Sequence, residues 1–238
     1  MIPHDVHVTV RHTASLDDTA IAAAASVLSA DELAQYRRFH FARDARDYAA
    51  AHALLRTSLS RHAADRAPAD WRFEKTPAGK PLFAGTGNPS LSFSLSHTHG
   101  MVACAVTPLA AVGVDVECAD RDVDTADIAA RFFAPSEAAH LRQLERQARR
   151  DRFFDFWTLK EALVKALGAG MAVSLASLAF TVHADGEVTL DAPAAVETNR
   201  WQFGLFAASP AHRLAVAVQR PAAGAAQLIF RSAAGWQA

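Results

Sequence analysis

Two short stretches carry acidic side chains at spacings that could hold one hard metal ion. In Gly113-Val114-Asp115-Val116-Glu117, an extended chain would project Asp115 and Glu117, two residues apart, to the same face. In Trp157-Thr158-Leu159-Lys160-Glu161-Ala162-Leu163-Val164-Lys165, a helix would set Glu161 and Lys165 one turn apart on the face of Trp157. Carboxylate oxygens of this kind suit Mg²⁺, which keeps part of its water shell and is usually shared with substrate phosphates. Each half also has an ordinary explanation. An acidic pair on an amphipathic strand can face water, and a Glu–Lys helix pair is a common surface feature worth little. Gly113 favours the functional side, because glycine inside a strand often marks the close approach of another group.

Further polar residues stand near these two stretches. Ser96-His97-Thr98-His99-Gly100 reads as a polar elbow between strands at 91–95 and 101–106. His97 and His99 could be a zinc pair, although no further His or Cys stands at ligand spacing. Alternatively, His97 and Ser96 could donate to phosphate together with neighbouring N–H groups. Lys75 and Lys80 flank the turn Thr76-Pro77-Ala78-Gly79, where Lys80 can equally be a solvated hairpin lysine. No catalytic triad, phosphate loop or dinucleotide fingerprint is present.

The elements that must carry these residues recur. A strand at 6–10 precedes an alanine-rich helix at 18–28, a capping box at Ser29–Glu32 and a long helix at 43–62. Strand pieces at 71–73 and 82–83 form a hairpin. The second half repeats the order: a helix at 152–167 stopped by Gly168-Ala169-Gly170, a hairpin around Ala184-Asp185-Gly186, and strands at 201–207 and 214–218. Met101–Pro108 and Arg213–Pro221 read alike, at an offset of roughly 110 residues. The pattern implies a duplication into two α+β halves joined near 107–111, and pockets often form at such interfaces.

With 24 basic and 25 acidic residues the net charge is −1, which argues against a general nucleic-acid binder. Cys104 and Cys118 form no metal or redox spacing, consistent with a reducing compartment. The start of the chain lacks a signal-peptide pattern, and no run reaches the ~20 apolar residues of a membrane span. A cytoplasmic protein with no membrane partner is expected.

In this order, Gly79-Lys80-Pro81, Phe93-Ser94-Leu95-Ser96-His97-Thr98-His99-Gly100, Gly113–Glu117, Phe132-Phe133 and Trp157–Gly168 resemble the 4′-phosphopantetheinyl transferases of the two-lobed Sfp type. Arg38-Phe39-His40-Phe41-Ala42-Arg43-Asp44-Ala45 is similar to that family's entry into the first-lobe helix. The resemblance implies two similar lobes related by a pseudo-twofold axis, 1–108 and 109–238, active as a monomer. It implies Mg²⁺-dependent transfer of the phosphopantetheine arm of coenzyme A to a serine of an acyl, polyketide or peptidyl carrier protein. By that match Asp115, Glu117 and Glu161 are the metal ligands, and Lys165 meets the diphosphate. The serine proton would go to Glu161 or to a metal-bound water. Ser96 and His97 would contact the phosphates, and Lys75, Gly79, Lys80 and Pro81 the adenine and 3′-phosphate end. Glu32 and Gln35 stand where relatives often carry basic residues, so Arg38 or Arg46 would substitute. The helical region at 132–147, with Arg142 and Arg146, is a candidate carrier-docking surface. Two rivals remain, a non-catalytic carrier-binding protein and a metal-dependent diphosphate hydrolase.

Overall fold

The alternation of Val6, Val8 and Val10 becomes the inner face of β1 (Asp5–His12) in the computed structural model, which describes residues 5–87, 89–109, 111–121, 123–168, 173–222 and 224–232. Three helices follow, α1 (Asp18–Ser26), α2 (Ala30–Tyr36) and α3 (Ala42–Ser60), then the hairpin β2 (Phe73–Lys75) and β3 (Pro81–Phe83), and the strands β4 (Ser92–Thr98) and β5 (Met101–Thr107). The second half runs β6 (Val112–Cys118), α4 (Thr125–Phe132), α5 (Pro135–Arg142), α6 (Arg146–Leu167), the hairpin β7 (Ala179–Val182) and β8 (Val188–Asp191), β9 (Trp201–Ser209) and β10 (His212–Gln219), followed by β11 (Gln227–Ser232). Local chemistry sets several boundaries. Asp17 caps α1, and Ser29 with Glu32 forms the expected box on α2. Gly168, in the left-handed region at φ 67°, ends α6. Ala169 and Gly170, assigned to the same stop, and Ala110 in the join lie outside the described residues.

The duplication is visible in the strand order. The first half pairs β1-β5-β4 and the second β6-β10-β9, the same sequence of neighbours. Helix α3 covers one sheet with Leu54, Leu55 and Leu59, and α6 covers the other with Phe153, Leu159 and Leu163. The valine faces of β1, β6 and β10 meet in a shared core between the sheets. At one seam β4 lies along β6. At the other, β11 adds to β1 in parallel, and Phe230 of β11 packs on Phe206 of β9. Strand β11 therefore belongs to the sheet of the first half although it follows the second in sequence.

Four local readings change. Strand β4 runs through Ser96, His97 and Thr98, and the elbow shrinks to His99-Gly100, with Gly100 at φ 81°. Polar residues persist in this strand because their hydroxyls find partners across the seam. Helix α6 begins at Arg146 rather than 152, its arginine-rich first turns held when Arg149 donates to the Leu144 carbonyl and Arg150 to those of Ala119 and Arg121. The region 132–147 is not one helix. Pro135 starts α5 after an extended Phe133-Ala134, since a proline cannot continue α4. Strand pairing at the first hairpin starts at Phe73, while Trp71 is fully buried and donates to Ser60 Oγ at 2.9 Å. Among the described residues, no helix is long and apolar enough to cross a membrane.

Candidate active site

The two acidic stretches converge. Helix α6 lies across β6 so closely that a Cβ on Gly113 would sit 1.9 Å from the Ala162 carbonyl oxygen. That approach brings Lys165 over Asp115. Lys165 Nζ donates to Asp115 Oδ1 at 2.7 Å and to Ser96 Oγ at 2.9 Å, and Ser96 Oγ donates to Asp115 Oδ1 at 2.8 Å. Ser96 and Asp115 are buried. Glu117, next on the strand, uses Oε2 to accept from Thr98 Oγ1 at 3.2 Å and from Arg121 Nη2 at 3.0 Å. Burial pushes the pKa of Glu117 up, and the charge of Asp115 adds to that shift. The same two causes act on Glu161, against a smaller opposing effect of Lys165.

A groove of about 750 Å³ opens above this cluster. One wall is Gly79, Lys80, Pro81 and Ser94 from the first half, the other Glu161, Lys165 and Gly168 from the second. Lys80 ties the walls together, donating to the Ala166 carbonyl at the end of α6 at 3.1 Å, and burial lowers its pKa. A second groove of about 640 Å³ adjoins the first at Pro81 and Leu95 and is lined by Lys75, Arg72, His52 and Tyr48. Glu32 and Gln35 also face it. Glu32 accepts from Arg56 Nη2 at 2.7 Å, with His52 Nδ1 2.8 Å away. Burial alone would raise its pKa, but the bonds with His52 and the Ser29 N–H and the nearby charges hold it down at about 2.

Gly79, Lys80, Pro81, Glu161 and Lys165 thus line the main groove and Lys75 the second, whereas Asp115, Glu117, Ser96, His97, Arg38 and Arg46 line neither. Ser96 is engaged inside the cluster. His97 is exposed on β4 by surface area, yet the protein packed around it makes burial the main cause that pushes its pKa down, with the charge of Lys165 adding to the shift. Arg131 and Phe132 at the end of α4 also line the main groove; Phe132 is 44% exposed. Arg131 was invisible in sequence, since nothing local marks an arginine as facing a distant helix. The alternation Ser94-Leu95-Ser96-His97-Thr98 was a usable signal for a polar strand face.

Among the described residues, no three His, Cys, Asp or Glu side chains stand grouped as a metal cluster. The site still fits a hard cation in its chemistry. Asp115 Oδ2 is buried without a hydrogen-bond partner. Carboxylate oxygens are the donors Mg²⁺ takes, and a cation would offset the burial and, secondarily, the repulsion from Asp115 that raise Glu117 and Glu161.

The profile of the 4′-phosphopantetheinyl transferase superfamily matches residues 111–218, and that of the 4′-phosphopantetheinyl transferase N-terminal region matches 16–109. The psf-1 transferase of Bacillus pumilus is 33% identical over 202 residues, covering 82% of this chain and 81% of that one. The chain belongs to the 4′-phosphopantetheinyl transferase family. The transferase is also 30% identical to Sfp of Bacillus subtilis over 71% of its own length and 72% of Sfp. Its match to HetI of Nostoc is 37% identical and spans less than two thirds of that protein, 62% of each chain. The holo-[acyl-carrier-protein] synthase of Thermotoga maritima superposes on 46% of the transferase and 62% of itself, with 26% identity and a TM-score of 0.39.

Proposed function

We propose that this phosphopantetheinyl transferase moves the 4′-phosphopantetheine arm of coenzyme A to a serine of an acyl, polyketide or peptidyl carrier protein at the junction of its two halves. The observation that carries the reading is the Lys165–Asp115–Ser96 cluster under a groove walled by both halves. Asp115, Glu117 and Glu161 would hold Mg²⁺, which when bound neutralises charge on the diphosphate. Lys165 offers a cation to the same diphosphate and to the departing adenosine 3′,5′-bisphosphate. The serine oxygen forms the new bond to phosphorus as the diphosphate P–O bond breaks. Glu161, its pKa raised by burial and by Asp115, is suited to take the serine proton. Lys80 steadies the groove, with Gly79 and Pro81 on the same wall, and Lys75 and Arg72 favour anionic phosphate in the second groove. His97 stands on the strand leading to the cluster, while Arg38 and Arg46 would meet phosphate only beyond the grooves. The division at 108/109 supplies both walls of the groove within one chain, which supports a monomer.

The test is the intact mass of apo carrier proteins from fatty-acid, polyketide and peptide synthesis after incubation with the enzyme and coenzyme A, with Mg²⁺ or with a chelator. A phosphopantetheine adduct on at least one carrier, lost with the chelator, is expected. No adduct on any carrier would overturn the proposal. Bisphosphate released without carrier would instead mark a hydrolase.

A further inference from the structure

The free edge of β6 is satisfied in an unusual way. Its other edge pairs with β10, so the N–H groups of Val114, Val116 and Cys118 need partners on the side of β4. Among the described residues they receive no strand. Instead they donate to side-chain hydroxyls: Val114 to Ser94 at 3.0 Å, Val116 to Ser96 at 3.3 Å and Cys118 to Thr98 at 3.2 Å. The three hydroxyls recur at period two along β4, as the three amides do along β6.

Asp115 and Glu117 are the residues between the pinned amides. Each carboxylate-bearing residue therefore has a fixed peptide on both sides. Two of the three hydroxyls also bond the carboxylates themselves, Ser96 to Asp115 and Thr98 to Glu117. A slip of β4 by one residue would put leucine or histidine opposite the amides and take the hydroxyls away from both the amides and the carboxylates. We infer that the hydroxyls of Ser94, Ser96 and Thr98 form a ladder that registers the acidic strand of the second half against the first, and that Thr98 is a positioning residue for Glu117. This rests on the metal reading proposed above. Thr98 Oγ1 and Arg121 both hold Glu117 Oε2, which fixes the orientation in which Oε1 would be offered to the metal. Outer partners of this kind govern how well a ligand binds its metal.

The test uses the full chain and two substitutions, Thr98→Val, which keeps the shape and removes the hydroxyl, and Thr98→Ser, which restores it. Mn²⁺ serves as a paramagnetic probe of the metal, and amide hydrogen exchange reads the ladder without any metal. In Thr98→Val the Cys118 amide should exchange about fivefold faster, the equivalent of one lost hydrogen bond. Its Mn²⁺ affinity should fall about 10–100-fold, with coenzyme A binding in metal-free buffer unchanged. Thr98→Ser should recover both. Unchanged Cys118 exchange in Thr98→Val would overturn the ladder. Unchanged Mn²⁺ affinity would overturn the positioning of Glu117. Failure of the unsubstituted enzyme to bind Mn²⁺ would sink the metal reading and Thr98's role with it, and the exchange data would still decide the ladder.

Discussion

Asp115 meets a lysine, a serine and the charges of two other carboxylates inside a buried pocket, so removing its charge changes more than one bond. Asp115→Ala and Glu161→Ala are each expected to lower kcat/KM for carrier modification about 10²–10³-fold or more. Circular dichroism should stay unchanged, and normal turnover in either variant would remove that carboxylate from the chemistry. Glu32 has a structural part, not a phosphate-binding one. Its folded pKa is depressed to about 2, so its stabilising effect is present above the ordinary carboxylate range and lost as pH falls toward about 2. Glu32→Gln leaves the buried guanidinium of Arg56 without its carboxylate and should cost about 3–5 kcal/mol at pH 7 by urea unfolding. The difference from the parent should narrow as pH drops below 4, and a difference independent of pH would refute the assignment.

At the level of elements, two contacts hold α6 where Glu161 and Lys165 can act. Gly113 lets the helix backbone touch β6, and a Cβ there would also lie 2.6 Å from the Ala166 nitrogen. Backbone cannot swing aside as a side-chain tip can, so Gly113→Ala should cost at least about 3 kcal/mol and reduce activity. A thermal scan showing an unchanged midpoint would contradict this. The second contact is a fully buried ion pair. Lys160 Nζ meets Glu137 Oε2 at 2.7 Å and the carbonyls of Leu175 and Leu178, and Glu137 accepts from the Ala134 and Phe180 N–H groups at 2.9 Å. The pair ties α6 to α5, to β7 and to the segment carrying Leu175, which lines the groove. Lys160→Met would leave Glu137 buried and uncompensated, with an expected loss of about 3–5 kcal/mol in denaturant unfolding. Lys160 stands beside Glu161 in sequence, yet the helix points it into the core while Glu161 faces the groove.

For the whole molecule, β11 makes the two halves interdependent. It covers the outer edge of β1 and packs on β9, so deleting residues 227–232 should speed amide exchange in β1, far from the cut in sequence. Exchange confined to β9 and β10 would show that the clasp is dispensable. The duplication was legible because repeated hairpin signals, strand patterns and a glycine helix stop are local features. The membership of β11 was not, because Gln227–Ser232 has a short, weakly alternating pattern that names no partner. Likewise, the end of β4 and the start of α6 were not legible, because polar residues there sit in regular structure and find their partners on distant elements. By itself the sequence determined the two-part architecture, the acidic strand, the Glu161–Lys165 helix face and the Lys80 turn, since periods of two and 3.6 decide which side chains share a face. Only the tertiary structure decided that Lys165 rests on Asp115, that Ser96 lies inside the cluster and not on the groove wall, and that Glu32 serves Arg56. Those outcomes depend on the separation of elements far apart in the chain: α6 against β6 at Gly113, β4 against β6 across the hydroxyls, and α2 against α3 at Glu32 and Arg56.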